Sequence, residues 1–232
     1  MRSHRENRHP ASDGTRAAMP ARRLTLTIDN GPRPGRTEWL VDLLGQRGLR
    51  ATFFMVGAHL ATPEQQRAAE AVRAAGHRVG NHTMHHGAPL GEVDAAAAIA
   101  EIADAQTALG DLAGPEKLFR PNGRGRLGPH LLNRAAVNYL AAHEYTIVTW
   151  NAVPQDWLQP ADGWLRRARA LVDSQDWTVL VLHDVYDGIQ HLPKFLDEIQ
   201  DAGIELTDEL PDSVVPMKQG RSRPWLDQLV TM

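Results

Sequence analysis

The sequence predicts an α/β fold, a parallel sheet of about seven strand–helix units closed or nearly closed into a barrel. Three observations carry that reading. Apolar strands alternate with amphipathic helices along the whole chain, the pattern of parallel βα units. Several strands are apolar on both faces, as strands covered by helices must be. Polar residues recur at the C-terminal ends of these strands, the end at which barrels of this kind gather their chemistry.

The elements follow in order. "RLTLTID" (23–29) alternates Leu24, Leu26 and Ile28 with Thr25 and Thr27, the period of a strand. "TEWLVDLLGQRG" (37–48) reads as a helix closed by Gly48, and "ATFFMVG" (51–57) as the next strand. "PEQQRAAEAVRAAG" (63–76) opens with a helix-starting Pro63 and closes on Gly76. "HRVGNHT" (77–83) is a short third strand. "GEVDAAAAIAEIADAQTALG" (91–110) is a helix with Val93, Ile99, Ile102 and Leu109 on or near one stripe. "KLFRP" (117–121) is a strand, "GPHLLNRAAVNYLAAHE" (128–144) a helix and "YTIVTWN" (145–151) a strand. "GWLRRARALVDSQ" (163–175) is a helix, followed by "WTVLVLHD" (177–184), a strand apolar on both faces. "IQHLPKFLDEIQDAG" (189–203) is helical with Pro193 in its first turn, and "IELTDEL" (204–210) ends the series.

The strand ends carry Asp29 and Asn30, His82, Arg120, Asn151, and then His183 and Asp184. Isolated surface polar residues do not fall so regularly.

The length of 232 residues fits one domain of moderate size, and a net charge of −3 does not suggest a nucleic-acid binder. Charge is uneven, however. Residues 1–23 carry six Arg against Glu6 and Asp13, a balance of +4 that leaves −7 for the rest. Residues 1–20 read as a disordered leader, polar and without apolar periodicity, and Met19 is an alternative start. Residues 21–210 are the expected barrel domain, and 211–232 a C-terminal extension, either a cap anchored by Trp225 or an interface. The absence of cysteine excludes disulfides, thiolate metal sites and a Cys nucleophile. There is no apolar signal core after Arg22-Arg23 and no run long enough to span a membrane, so the expected location is cytoplasmic.

Several stretches carry chemistry. In "GNHTMHH", His82 and His86 are four apart and His85 is three from His82; on a helical turn all three could share a face. Two His at this spacing suit a divalent cation such as Zn²⁺. In "TIDNGP", Asp29 and Asn30 would point to opposite faces of an ideal strand. Asn30-Gly31-Pro32 is a turn signal that lets the chain leave the pleat there, so both could reach one site. A third metal ligand could then be the Asn30 amide oxygen or Asp29, with an acid left to act on a water. "VLVLHD" delivers His183, whose ordinary pKa near neutrality suits proton donation to a leaving group. Asp156 in "PQDWLQP" could orient His183, and Trp157 could wall a pocket. Arg120 in "FRPNGRG" could pair with Asp29, and the glycines there would let backbone N–H groups face a substrate oxygen.

Taken in this order, the motifs resemble those of the NodB-type polysaccharide deacetylases, carbohydrate esterase family 4. The resemblance runs from about Leu24 to Glu209. The opening Thr-Phe-Asp-Asp-Gly-Pro appears as Thr27-Ile28-Asp29-Asn30-Gly31-Pro32, and "ATFFMVG" and "GHRVGNHT" are similar to the next signature stretches. His-Ser/Thr-x-x-His matches His82 to His86, favouring His82 and His86 as ligands over His85. Arg-x-Pro appears in "FRPNG", Asp-Trp as Asp156-Trp157, and the closing Leu-x-His strand as Val181 to His183.

The resemblance implies a distorted (β/α) barrel of about seven repeats, the NodB homology domain. It implies a metal-dependent hydrolase that removes N-acetyl groups from amino sugars, with an N-acetylated saccharide as partner. The metal would be Zn²⁺, with Co, Mn or Ni as alternatives. Asp29 would be the general base, steadied by Arg120, and His183 the general acid, oriented by Asp156. His82, His86 and Asn30 would hold the metal, which would supply Lewis acidity. Trp157 and Val181 would line the slot for the acetyl methyl, and a backbone N–H near Gly123 would serve the oxyanion.

The chain departs from the family at several positions. Asn30 stands where the family has an acidic ligand, so the site loses a full negative charge beside a dication. Weaker metal affinity is expected, with some preference shifted toward harder ions. Gly123 stands where the family has a Tyr, which removes aromatic packing while leaving the backbone donor. Arg78 and Val153 replace frequent acids and read as peripheral. Two other readings stay open: a hydrolase of another non-peptide C–N bond on the same fold, and a non-catalytic sugar-binding relative with a weakened metal site.

Overall fold

β1 (Arg23–Asp29) is the strand around which the sheet is organised. Along its full length it pairs in parallel with β6 (Trp177–His183), from Arg23↔Trp177 to Asp29↔His183. Its other edge is shared. β7 (Glu205–Thr207) takes Arg23–Thr25, and β2 (Thr52–Met55) takes Thr27–Asp29. From β2 the sheet runs on in parallel through β3 (Arg78–Asn81), β4 (Leu118–Phe119) and β5 (Thr146–Ile147). The chain after β5 then bridges back to β6 at Ala152↔Leu180, with Val181 N–H donating to the Ala152 carbonyl at 3.0 Å. That bridge closes a parallel barrel, and its short β4 and β5 make the barrel distorted. The computed structural model describes residues 22–231, and the Arg-rich leader read at 1–20 lies outside them.

Among the described residues six α-helices cover the barrel: α1 (Arg36–Gln46), α2 (Pro63–Ala74), α3 (Ala95–Leu109), α4 (Arg134–Ala142), α5 (Trp164–Asp173) and α6 (Leu192–Asp201). Their starts follow from local chemistry. Thr62 caps α2 by accepting the Gln65 N–H, and Pro63 fills the first helical position. Pro193 lies in the first turn of α6. α3 begins at Ala95, later than the run from Gly91 suggests, because the Asp94 carboxylate accepts the Ala97 N–H at 2.8 Å. Val93 therefore lies outside the helix. α4 likewise begins only after Asn133, which accepts the Ala136 N–H at 2.8 Å; Pro129–Leu131 form a separate 3-10 turn.

The core lies in two main bodies. One joins β1, α1, α5 and α6 through Leu24, Leu26, Leu40, Trp164 and Phe195. The other joins α3, α4 and the fifth strand through Ile102, Phe119, Val137, Ile147 and Trp150. Residues 211–231 pack into both the sheet and this second body. β8 (Met217–Lys218) pairs antiparallel with β5 at Met217↔Ile147, and β9 (Arg221–Ser222) pairs with β8. Leu226, Leu229 and Val230 are buried there, with Trp225 packed against them. Among the described residues no helix is long and apolar enough to cross a membrane.

Candidate active site

The C-terminal ends of β1, β3, β4 and β6 meet at one cavity of about 260 Å³. It is lined by Asp29, Asn30, His82, His86 and His183 together with Gly123, Trp157 and Val181. Asp29 ends β1 in the pleat, but Asn30 has φ 73°, in the left-handed region that Asn tolerates better than most residues. The chain thus leaves the strand between the two residues, and both reach the same cavity.

Asp29 is held by a buried cation. Arg120 is fully buried, and one of its terminal nitrogens donates to Asp29 Oδ1 at 2.8 Å and to Thr27 Oγ1 at 2.7 Å. Its other donors reach the carbonyls of Thr149 at 3.0 Å and Val148 at 3.3 Å. A buried guanidinium is tolerable because its fork is satisfied in this way. The guanidinium also stacks 4.1 Å from the Phe54 ring centre. Thr27 looked in the sequence like no more than the alternating partner of a strand, yet it joins this network.

His82 is the next member. Its Nδ1 sits 2.8 Å from the Arg120 carbonyl, which can only accept, so Nδ1 carries the hydrogen and Nε2 keeps a lone pair. Nε2 lies 3.6 Å from Asp29 Oδ2. Burial pushes the His82 pKa down to about 3, against the opposing effect of that hydrogen bond. His86 is 4.8 Å from His82, ring centre to ring centre. Its pKa is also pushed down to about 3, by burial first and the neighbouring His82 second. Both rings are therefore neutral at neutral pH.

The segment from His82 to His86 is not a helical turn. Thr83 and His86 have φ of 66° and 52°, and the Thr83 hydroxyl accepts the His86 N–H at 3.0 Å. His85 is drawn outward instead, with its backbone N–H and its ring both bonded to Glu101. Asn122 fixes the far end of this loop by donating to the Gly87 carbonyl at 2.6 Å.

His183 stands at the end of β6. Its ring Nδ1–H and its own backbone N–H donate to the two oxygens of Asp156, each at 2.8 Å. Burial alone would lower the His183 pKa. The Asp156 hydrogen bond and charge, with the charges of Asp29 and Asp184, outweigh it and raise the value above the ordinary one. Trp157 and Tyr186 flank the ring, each with its centre 5.4 Å away and edge-on. Asn151, the strand-end residue after β5, takes no part in the cavity. Its amide bonds the backbone of β6 at Trp177 and Val179 and serves barrel closure.

Two of the departures read from the sequence look different in the fold. A Cβ at Gly123 would meet Trp150 Cη2 at 2.6 Å and the Arg126 carbonyl and Leu131 Cδ2 at 2.7 Å. Trp150 therefore supplies aromatic packing where residue 123 has no side chain. The Gly123 N–H makes no backbone hydrogen bond among the described residues. Val153 is not peripheral, since it lines the cavity, whereas Arg78 stands at the opposite end of its strand and contacts Asp208.

The donor set fits a divalent cation in kind. Two neutral imidazoles face the cavity, and Asn30 Oδ1 is buried with no hydrogen-bond partner among the described residues. An orphaned buried amide oxygen costs about 1–3 kcal/mol unless something binds it. The set carries no charge of its own, however. Among the described residues no group of three or more His, Cys, Asp or Glu side chains is arranged to hold a metal ion.

Comparison with known proteins agrees with this architecture. The sequence model of the family described as polysaccharide deacetylase matches residues 16–148. A chitooligosaccharide deacetylase of Bradyrhizobium sp. (strain ANU 289) is 32% identical, over 71% of this chain and 72% of its own. A family 4 carbohydrate esterase from Streptomyces lividans, solved in complex with acetate, is 27% identical with a TM-score of 0.66, over 82% of this chain and 92% of its own. A family 4 pseudoenzyme from Bacillus anthracis has a TM-score of 0.68 at 16% identity, over 82% of this chain and 65% of its own, and shows the shared fold alone. With the family model matched over more than half of its length, the chain belongs to the polysaccharide deacetylases, the NodB-type carbohydrate esterases of family 4.

Proposed function

We propose that this chain is a metal-dependent hydrolase that removes N-acetyl groups from amino sugars of the chitooligosaccharide or peptidoglycan kind. One observation carries the reading: a single cavity is lined both by a carboxylate paired with a buried Arg and by a histidine held by a second carboxylate. A sugar-binding pocket needs neither. The names of its relatives support the substrate class.

His82, His86 and Asn30 would hold the metal, Zn²⁺ first and Co, Mn or Ni as alternatives. When bound it supplies Lewis acidity toward the acetamide carbonyl and toward water. Asp29 has Oδ1 occupied by Arg120, so Oδ2 is the oxygen that takes a proton from the attacking water. The Gly123 N–H donates to the carbonyl oxygen as negative charge develops there. His183 has Nδ1 committed to Asp156, so Nε2 delivers the proton to the departing amine. Trp157 and Val181 wall the space for the acetyl methyl.

A second reading, a non-catalytic saccharide binder, is favoured by one feature, the neutral Asn30. Acetate release from chitooligosaccharides separates the two. The enzyme reading expects release that stops on chelation and returns with added Zn²⁺. Binding of the oligosaccharide without release in any metal would leave the binder reading standing.

A further inference from the structure

Asn30 and the His82–His86 loop follow different strands, yet both are tied to one short piece of chain, the 3-10 turn Gly57–Leu60 that follows β2 and its N-cap Val56. On one side, Val56 N–H donates to the Gly31 carbonyl at 3.0 Å, and the His59 ring Nδ1 lies 2.7 Å from the Asn30 carbonyl. On the other, Gly57 N–H donates to the Thr83 carbonyl at 3.0 Å and Ala58 N–H to the Met84 carbonyl at 2.8 Å. The Asn30 carbonyl can only accept, so His59 Nδ1 carries the hydrogen. Asn30, Thr83 and His86 all have positive φ, a conformation that costs an L-residue about 1 kcal/mol or more and persists only where the surroundings enforce it. Of these four ties, His59 provides the one made by a side chain.

We propose that His59 is a positioning residue, fixing the backbone of Asn30 so that its amide oxygen faces the cavity in register with His82 and His86. The inference rests on the reading of Asn30 as a ligand. His59 does not line the cavity and so touches neither substrate nor reacting atoms. It acts through the Asn30 carbonyl, as outer partners of metal ligands do, and loss of such a partner lowers metal affinity about 10–100-fold.

The test uses His59→Ala, which removes the donor, and His59→Asn, whose amide N–H takes the place of Nδ1–H. His59→Phe, which fills the space without a donor, replaces His59→Ala should that variant not fold. The first readout is amide hydrogen exchange at Val56 and Gly57 in the metal-free protein. Exchange is expected to quicken about 10-fold or more in His59→Ala and to return to the wild-type rate in His59→Asn, with β6 unchanged. The second is Zn²⁺ titration by calorimetry, in which affinity falls about 10-fold or more and is rescued in the same variant. Unchanged exchange in His59→Ala overturns the proposal whatever the metal does. Quicker exchange with wild-type zinc affinity overturns it too. A wild type that takes up none of Zn²⁺, Co²⁺, Mn²⁺ and Ni²⁺ sinks the functional reading instead, and the exchange pattern alone then decides the role of His59.

Discussion

Asp156 accepts both hydrogen-bond donors that His183 offers on that side, the ring Nδ1–H and the backbone N–H, each at 2.8 Å. The pair fixes the tautomer and the rotation of the ring together. It also raises the His183 pKa, so the ring stays protonated to a higher pH than an ordinary histidine does. In the metal-free protein, NMR titration of His183 should give a value above about 6.5. Asp156→Asn should bring it down and move the alkaline limb of kcat/KM the same way. The sign for stability follows. The contribution of this pair is present below the unfolded value and is lost as pH rises through the folded one. A His183 titration indifferent to Asp156→Asn would remove its assignment as an oriented acid.

Asp184, the next residue, is buried against the turn that carries Asn30. A Cβ on Gly31 would collide with its carboxylate, and Thr37 Oγ1 donates to Oδ2 at 2.5 Å while Oδ1 has no partner among the described residues. Burial pushes its pKa up to about 6, against the hydrogen bonds from Thr37 and the backbone of Arg33. The folded state thus holds this proton longer than the unfolded state, and the contribution of this group to stability declines as pH rises from about 4 to about 6. Asp184→Asn should be free of that loss, gaining roughly 3 kcal/mol on the wild type across the window and no more above it. Urea unfolding at several pH values reads the difference. A constant gap between the two proteins would contradict the assignment.

Gly123 and Trp150 share one volume. Gly123→Ala should cost about 1–3 kcal/mol by overpacking and displace Trp150 from the cavity wall. Combined with Trp150→Leu, the loss should be smaller than the sum of the single changes. Thermal unfolding of the four proteins of the cycle measures this, and strict additivity would mean that the two residues do not compete.

Asn30→Asp adds a charge where the donor set has none. An effective dielectric near 20 makes a unit pair at 4 Å worth about 4 kcal/mol, so Zn²⁺ affinity should tighten about 10-fold or more. Competition with a chelator measures it. Unchanged affinity would place the metal away from residue 30.

Much of this site was legible in the sequence because its residues sit where period and punctuation change. Asp29 and Asn30 were marked by a strand period running into Asn-Gly-Pro, and His183 by the end of a doubly apolar strand. The order of the motifs then tied them together. What stayed hidden acts through space. His59 works on a carbonyl far back in the chain, and no local pattern announces it. Thr27, Trp150 and Tyr186 read as ordinary strand or loop residues until the barrel closes. His82 and His86 meet without the helical turn that their spacing allows, because spacing alone cannot show left-handed residues such as Thr83 and His86. β5 is shorter than its apolar run, and the chain beyond it leaves the ladder to bridge β6 at Ala152.

The role proposed for Asp29, the base of a deacetylase centre, is open to one direct measurement. Acetate release from a chitooligosaccharide, compared between the wild type and Asp29→Asn at matched zinc occupancy, tests it most directly. Release by the wild type is expected, with a rate at least about 100-fold lower in Asp29→Asn while the metal is still bound. Equal rates in the two proteins, or no release from the wild type loaded with Zn²⁺, Co²⁺, Mn²⁺ or Ni²⁺, rule that role out.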